Sequence, residues 1–396
     1  MTSAFESAQA RRTFIGLCVS TFLLFTTGST LAILSLVMQA AGHGTREISL
    51  VLSSPIVPVV VSILAAGKLL RHFDPLRVAL AGQLLMLTSF AAFEWTIAST
   101  AGAALCRAVF GLGFGIFFAS STFVARDLLS GPRTIYLFGI FGGMVTLPNV
   151  VAPGLAEYYL RHFGLNDFFL VLSIPAVCAS LVLAAMCRTW RSRPMATTAG
   201  DATYREIYRH RDFRSTAFAN LFIGVNWGMA FGYCALHLKS HGIPVAAFFS
   251  SMTTAFFATR FILMRLLHGR SRLGIVALAF ATMGIAYLLL SGAQSFIVAA
   301  LAGALFGAGY SSVLPILSVQ ASDLFPAADR PMAMALFNVH FHVGFFAFPM
   351  VIAAMAPLRA FDTTLLVLGG LGILVAAIHA RAAVRAARLD GRPTPV

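Results

Sequence analysis

Twelve apolar stretches, each long enough to cross a lipid bilayer, are the feature that most constrains the fold of this chain. A membrane-spanning helix needs about 20 predominantly apolar residues. Only 11% of the residues are charged, against about 25% in a typical soluble domain. We therefore predict an all-α integral membrane protein with these twelve spans: 13–38, 47–70, 77–98, 101–125, 133–156, 167–187, 214–236, 244–267, 273–291, 294–319, 331–356 and 361–380.

The positive residues predict how these spans are oriented. Of the 28 Lys and Arg residues, 22 fall on the side of the amino terminus, four fall on the opposite side, and Arg107 and Arg260 lie within spans. Cytoplasmic loops carry an excess of Lys and Arg. We predict a multi-pass protein of a bacterial-type inner membrane with both termini in the cytoplasm. This asymmetry also accounts for the net charge of +14, so we expect the lipid bilayer as partner and no nucleic acid.

A stretch of 20 residues occurs twice, half the chain apart. FGLGFGIFFASSTFVARDLL, which begins at Phe110, aligns without a gap to FGAGYSSVLPILSVQASDLF, which begins at Phe306, and six positions are identical. Such self-similarity indicates an internal duplication. The longest polar stretch lies between the copies. We predict an N-terminal six-helix bundle at 1–187, a cytoplasmic linker with a short helix at 188–213, and a C-terminal six-helix bundle at 214–396.

Two six-span halves repeated in parallel and joined by an inner linker resemble the major facilitator superfamily. The segment CRAVFGLGFG is similar to the fourth-span pattern of that family, with Arg107 followed by Gly111, Gly113 and Gly115. The loop after span 2 matches the family pattern only loosely. The resemblance implies two pseudo-symmetric bundles that rock about a central site. It also implies that Arg107 takes part in substrate or proton handling.

The repeated stretch is span 4 in the first half and span 10 in the second. Glycines let helices approach closely in lipid, which predicts tight packing at Gly111, Gly113, Gly307 and Gly309. An acid ends each span at the inner surface, where it can pair with a nearby arginine. We therefore predict a symmetric inner gate formed by Asp127, Arg133, Asp323 and Arg330. The alternative is that the two acids are simple carboxylates at the membrane interface.

Ionisable residues at membrane depth are costly and are candidates for function. Arg107 lies about 9 Å from the outer end of span 4 and has no counterpart in span 10, where Gly303 stands. Glu94 in span 3 should reach a comparable depth and neutralise the charge of Arg107. This pair could serve transport or be purely structural. Arg260 lies about 12 Å from the inner end of span 8. It is a candidate for the pathway, and the alternative is that its long side chain extends to the inner surface.

Span 11 contains two histidines in FNVHFHVG. Asn338 and His342 are four residues apart and share one helical face, whereas His340 points elsewhere. We expect the Asn338–His342 face to line the cavity, where histidine can carry a proton. An interhelical hydrogen bond is the alternative.

Further polar and aromatic residues are candidates for contact with substrate. Asn226 and Trp227 lie near the middle of span 7, and Tyr310 follows the glycines of span 10. Packing is the alternative for each of them. Glu157, at the end of span 5, is expected to be a rim residue.

No nucleotide-binding GxxxxGK[ST] loop and no nucleophile–base arrangement occurs, so we expect no enzyme, no cofactor and no metal site. We predict a monomeric secondary active transporter that moves a small organic solute by alternating access, coupled to protons. The glycines and prolines of span 5 favour efflux. The alternatives are uptake of a small organic anion guided by Arg107 and Arg260, a metal or metal-chelate carrier, and a membrane sensor that does not translocate.

Overall fold

The computed structural model describes residues 7–129, 134–190, 203–263, 271–326, 328–354 and 360–389, and these residues form helices joined by short turns. Apolar side chains point both into the protein and outward, as expected where lipid replaces water. The helices of the first six spans are Ala8–Ala40, Thr45–His72, Pro75–Thr96, Thr100–Asp127, Leu137–Phe163 and Phe168–Thr189. Those of the last six are Arg211–Gly232 with Cys234–Ser240, Ala246–Ala258 with Thr259–Leu263, Arg272–Ser291, Phe296–Asp323, Arg330–Ala354 and Ala360–Leu389.

The predicted number of twelve spans is not confirmed. Within the described residues, ten helices are long and apolar enough to cross a membrane, and span 7 is an eleventh if its two pieces, bent by 43°, count as one. Span 8 is a helix over Ala246–Ala258 that continues as a π-helix over Thr259–Leu263. The remainder of its predicted range, 264–267, lies outside the described residues.

The same packing occurs in both halves of the chain. Span 4 packs against spans 2 and 3, and span 10 packs against spans 8 and 9. A Cβ added to Gly111 would lie 2.6 Å from Pro55 Cβ of span 2, and one added to Gly307 would collide with the carbonyl oxygen of Met252 in span 8. In lipid, such close contact between helices is a main source of their association.

The second pair of repeated glycines shows the same equivalence. A Cβ on Gly113 would lie 2.6 Å from the carbonyl oxygen of Gly82 in span 3. One on Gly309 would lie 2.6 Å from that of Ala279 in span 9. The repeat therefore corresponds to two equivalent three-helix contacts.

A short helix, Tyr204–Arg209, precedes span 7. Thr203 and Glu206 form a capping box, and the Thr203 backbone N–H lowers the pKa of the Glu206 carboxyl. Ile207 is buried, and the ring of Tyr208 stacks on His340 of span 11 with centroids 5.6 Å apart. The linker helix is thus fixed to the C-terminal half.

Candidate functional site

A cavity of about 240 Å³ lies between the two halves. Spans 1, 3, 4 and 5 line it on one side, and spans 7, 10 and 11 line it on the other. Its wall is chiefly aromatic and includes Phe25, Phe110, Phe114, Phe118, Trp227, Phe231, Tyr310, Phe341, Phe345 and Phe346. Apolar walls with a few polar groups are typical of small-molecule sites.

Arg107 is the one arginine or lysine in the wall, among the residues that the structure describes. It is 8% exposed, and its guanidinium carbon lies 5.5 Å from the ring centre of Phe110 and 5.9 Å from that of Phe346. Among the described residues, its Nε has no hydrogen-bond partner. A buried cation without a counter-charge is costly, so this group is suited to receive an anion.

The opposite wall carries the polar face of span 11. Asn338 and His342 both line the cavity, and His342 Nδ1 lies 2.8 Å from the carbonyl oxygen of Asn338. Because a carbonyl only accepts, Nδ1 carries the proton and Nε2 is left to bind a proton or a ligand. The His342 ring lies 5.6 Å from Phe114 of span 4, so it faces the other half. His340 faces away, towards Tyr208.

Trp227 and Tyr310 line the same wall, with ring centroids 4.5 Å apart. The indole Nε1 of Trp227 is buried without a partner. Asn226 is not in the wall. It donates to the carbonyl oxygen of Phe222 at 2.7 Å, and its own carbonyl accepts a hydrogen bond from Tyr287 of span 9. Asn226 thus serves packing within the C-terminal half.

Sequence reasoning missed Asn149, which lines the cavity in span 5. Its Nδ2 donates to the carbonyl oxygen of Thr146 at 3.1 Å, whereas its Oδ1 is buried without a partner. The signal was present in the sequence: Pro148 interrupts the span, which runs as a 3-10 helix over Leu147–Val150. A polar residue beside such a break in a membrane helix is a candidate for a lining position.

Two further residues predicted for the pathway, like Asn226 and His340, are not among the residues that line the cavity. Glu94 does not pair with Arg107; its Oε2 accepts a hydrogen bond from the backbone N–H of Phe169 at 3.0 Å, at the start of span 6. A helix N-terminus has free N–H groups, which a carboxylate satisfies. Arg260 is not among the lining residues and lies over the ring of Phe256, 5.8 Å from its centre.

The two halves meet at one end of the cavity, on the side of the helix bundle opposite to the described start of span 1 and end of span 12. Three hydrogen bonds between described residues join the halves there. The hydroxyls of Ser49 and Tyr233 are 2.5 Å apart, and Ser250 donates to the carbonyl oxygen of Val150, also at 2.5 Å. Val245 N–H donates to Glu157 at 2.8 Å. These contacts join the two halves at the end of the cavity that lies opposite to the termini.

The predicted inner gate pairs Asp127 and Asp323 with Arg133 and Arg330 when the inner side is shut, and the described residues show only part of it. Asp323 pairs with Arg272 at 3.4 Å, because the start of span 9 adjoins the end of span 10. Arg330 donates to the carbonyl oxygen of Phe325 instead. Asp127 is exposed, and Arg133 lies outside the described residues.

The histidines that suggested a metal carrier have structural partners. His237 Nδ1 lies 3.1 Å from Asp362 of span 12, and its Nε2 lies 2.8 Å from the carbonyl oxygen of Leu290 in span 9. In the described part of the chain, no group of three or more His, Cys, Asp or Glu side chains is placed to hold a metal.

Comparison with solved structures places the fold among known transporters. The chain superposes on a peptide transporter POT in complex with alafosfalin with a TM-score of 0.77, at 16% identity over 95% of each chain. It superposes on the POT family transporter PepTSo with a TM-score of 0.76, at 13% identity over 94% of this chain and 98% of that one. No curated protein sequence matches significantly.

The sequence itself matches a family model over most of its length. Residues 14–325, which include spans 1 to 10, match the model of the Major Facilitator Superfamily. With the helical architecture, the aromatic cavity between the halves and the repeated glycine contacts, this match identifies the family. The chain belongs to the Major Facilitator Superfamily.

Proposed function

We propose that this protein carries a small organic anion with an apolar body across the membrane, in symport with protons, by alternating access of the central cavity. The observation that carries the proposal is Arg107: a buried guanidinium with an unpartnered Nε, set in an aromatic wall. A guanidinium matches the planar fork of a carboxylate better than any other side chain does.

The size and lining of the cavity support a compact, apolar solute. Its volume of about 240 Å³ lies below the ~300–1,000 Å³ range of most small-molecule pockets. The rings of Phe110, Phe114 and Phe346 surround the space beside the charge. An aromatic or branched monocarboxylate fits this combination.

The charges in the wall argue against a peptide as substrate, although the structural neighbours are peptide transporters. A free peptide carries an amino group as well as a carboxylate, and the amino group needs an acidic partner or several acceptors. No Asp or Glu is among the described residues that line the cavity. The wall therefore complements a single negative charge.

Symport follows from how a proton and an anion affect each other's binding. His342 lies in the same wall, and a positive charge on its ring attracts an anion. The proton and the anion thus support each other's binding, which is the linkage that symport requires. Exchange of a solute against protons requires competition instead, as when both bind one carboxylate. An inward proton gradient then drives uptake, so we favour uptake over efflux.

The glycines of span 5 differ in their surroundings: a Cβ on Gly143 would lie 3.0 Å from Phe257 Cε1, and one on Gly154 would lie 3.3 Å from Ala246 Cβ. No described atom lies within 4 Å of a Cβ placed on Gly139 or Gly142. These glycines are not required for a close helix contact in this conformation.

Transport in proteoliposomes tests the proposal. Vesicles with an acidic exterior are offered a labelled aromatic monocarboxylate, its neutral amide and the corresponding amine. We expect the carboxylate to accumulate, the amide and amine to stay at the level of empty vesicles, and accumulation to stop when the pH gradient is removed. Equal uptake of the amide, or accumulation only under the reversed gradient, would refute an anion–proton symporter.

A further inference from the structure

Three polar atoms of residues in the cavity wall are buried without a hydrogen-bond partner among the described residues. Two of them are donors, Arg107 Nε and Trp227 Nε1, and the third is an acceptor, Asn149 Oδ1. A buried polar group that stays unpaired costs free energy, and native proteins rarely leave one so. The polar groups of a bound solute can supply the missing partners.

A simple carboxylate suits the two donors but not the acceptor. An ionised carboxylate only accepts hydrogen bonds, so it can receive them from Arg107 and Trp227. Beside Asn149 Oδ1, a carboxylate would place oxygen against oxygen, and an apolar body would leave that oxygen unpaired. Asn149 therefore requires a hydrogen-bond donor, which an apolar monocarboxylate lacks.

The local structure of span 5 determines which end of the Asn149 amide is left over. The span runs as a 3-10 helix over Leu147–Val150, and Asn149 Nδ2 donates to the carbonyl oxygen of Thr146 at 3.1 Å. Because a carbonyl only accepts, this bond uses the nitrogen of the amide and leaves its oxygen. Asn149 is 5% exposed, so bulk solvent does not satisfy that oxygen.

A second asparagine shows why the position in the wall matters. Asn220 Nδ2 donates to the carbonyl oxygen of Phe337 at 2.8 Å, and Asn220 Oδ1 is also buried without a partner among the described residues. Asn220 does not line the cavity, so a solute in the cavity does not reach it. An unpaired amide oxygen is thus a candidate for recognition only in a residue of the wall, such as Asn149.

We propose that Asn149 is a specificity-determining residue, which selects solutes that carry a hydroxyl or an uncharged amino group on the apolar body. The inference deepens the proposed function and rests on it for the carboxylate. The solute is held at two points, by its charge at Arg107 of span 4 and by its donor at Asn149 of span 5. A site that hydrogen-bonds a substrate hydroxyl discriminates strongly against an analogue without it, because the polar group of the site then stays unpaired.

Equilibrium binding of matched acids to the purified full-length protein tests this inference. The acids are benzoate, meta- and para-hydroxybenzoate, and meta- and para-fluorobenzoate. Fluorine is similar in size to a hydroxyl group but donates no hydrogen bond, whereas the ring and the carboxylate are the same in all five acids. All affinities are measured at one pH, so that proton coupling affects them equally.

We expect at least one hydroxybenzoate to bind about tenfold more tightly, or better, than the fluorobenzoate substituted at the same position. Asn149→Leu keeps the approximate size of the side chain without its oxygen, so the two affinities should become equal. Asn220→Leu is the matched control. It removes the same kind of unpaired oxygen from a residue that does not line the cavity, so the preference for the hydroxyl should persist.

Two outcomes would overturn the inference. One is equal affinity of the unaltered protein for the hydroxy and fluoro acids at both ring positions, a result that does not depend on how any variant folds. The other is a preference for the hydroxyl that persists in Asn149→Leu. Either outcome leaves the proposed anion transport in place. Failure of all five acids to bind would instead refute the aromatic anion as substrate, and the inference with it.

Discussion

Arg107 in the N-terminal half and Arg260 in the C-terminal half both lie away from the ends of their predicted spans, and the two have different surroundings. Arg107 of the N-terminal half lies in the cavity wall with an unpartnered Nε. Arg260 of the C-terminal half lies over Phe256, and the lining does not include it. The glycine contacts, by contrast, are equivalent in the two halves. Gly111 of span 4 packs against span 2, and Gly307 of span 10 packs against span 8. The duplication has kept the packing, whereas the charges of the two halves have diverged.

Replacement of the two arginines tests this difference most strongly. Arg107→Ala should weaken binding of the anionic substrate at least about 100-fold, because loss of one partner of a buried ion pair costs about 3–5 kcal/mol. The affinity of Arg107→Lys for the anion should lie between those of the unaltered protein and Arg107→Ala, since a lysine keeps the charge but lacks the planar fork of the guanidinium. Arg260→Ala is the matched control and should stay within roughly threefold. Equilibrium binding to the purified protein measures all three. Equal losses for the two arginines would contradict the assignment.

Replacement of the glycines tests the equivalence of the packing. Gly111→Val and Gly307→Val should each destabilise the protein by about 1–3 kcal/mol, the usual cost of overpacking, because each added Cβ would overlap a neighbouring helix. Gly142→Ala is the control. No described atom lies near its Cβ position, and alanine is the better helix former, so stability should rise slightly. Thermal unfolding in detergent measures the stability of the three variants relative to the unaltered protein. Loss of stability in one half only would break the equivalence.

Histidine replacements separate the two faces of span 11. In the unaltered protein, binding of the anion should strengthen up to about tenfold between pH 8 and pH 4.5, since a protonated imidazole adds positive charge beside the ligand and the buried His342 ring takes up a proton only in acid. His342→Gln should remove this dependence. His340→Gln should retain it, because His340 stacks on Tyr208 and does not line the cavity. Binding isotherms at both pH values decide. A dependence lost in His340→Gln instead would mean that the other face of span 11 senses the proton.

Replacement of Glu94 has the smallest expected effect. It tests whether substrate binding at Arg107 depends on the charge of Glu94. Glu94→Ala should destabilise the protein by about 1 kcal/mol, the usual contribution of a helix cap, through loss of the Phe169 N–H bond. Substrate affinity should not change. Thr88→Ala, whose hydroxyl bonds only within its own helix, is the control for stability. Weaker substrate binding in Glu94→Ala would show that the acid neutralises Arg107 after all.

Most of the fold followed from the sequence, because lipid imposes strict rules on a chain. Runs of about 20 apolar residues must be helical, and the repeat at an offset of 196 located the glycine contacts of spans 4 and 10. The number of spans was harder to establish, since spans 7 and 8 are interrupted by a bend and a π-helix. The bend of span 7 follows Gly232, a poor helix former, whereas the π-helix of span 8 contains neither Pro nor Gly.

The candidate site was only partly accessible from the sequence. Helical phase separated His342 from His340, and depth singled out Arg107. The same depth argument placed Glu94 beside Arg107, since distance along an axis does not specify which way a side chain points. Glu157 was expected at the rim. Its partner, Val245, is a backbone N–H of the other half, and no residue type marks such a contact.

The position of Arg107 has an electrical consequence. When access alternates, the part of the membrane potential that falls across the cavity moves from one side of the guanidinium to the other. The empty carrier therefore shifts a positive charge relative to the field, at about 2.3 kcal/mol per charge for each 100 mV crossed in full. A bound carboxylate and the proton bound with it cancel each other, so the loaded carrier shifts the same charge as the empty one. An inside-negative potential should consequently favour the inward step of the loaded carrier and oppose the return of the empty one, and a complete cycle with one anion and one proton moves no net charge.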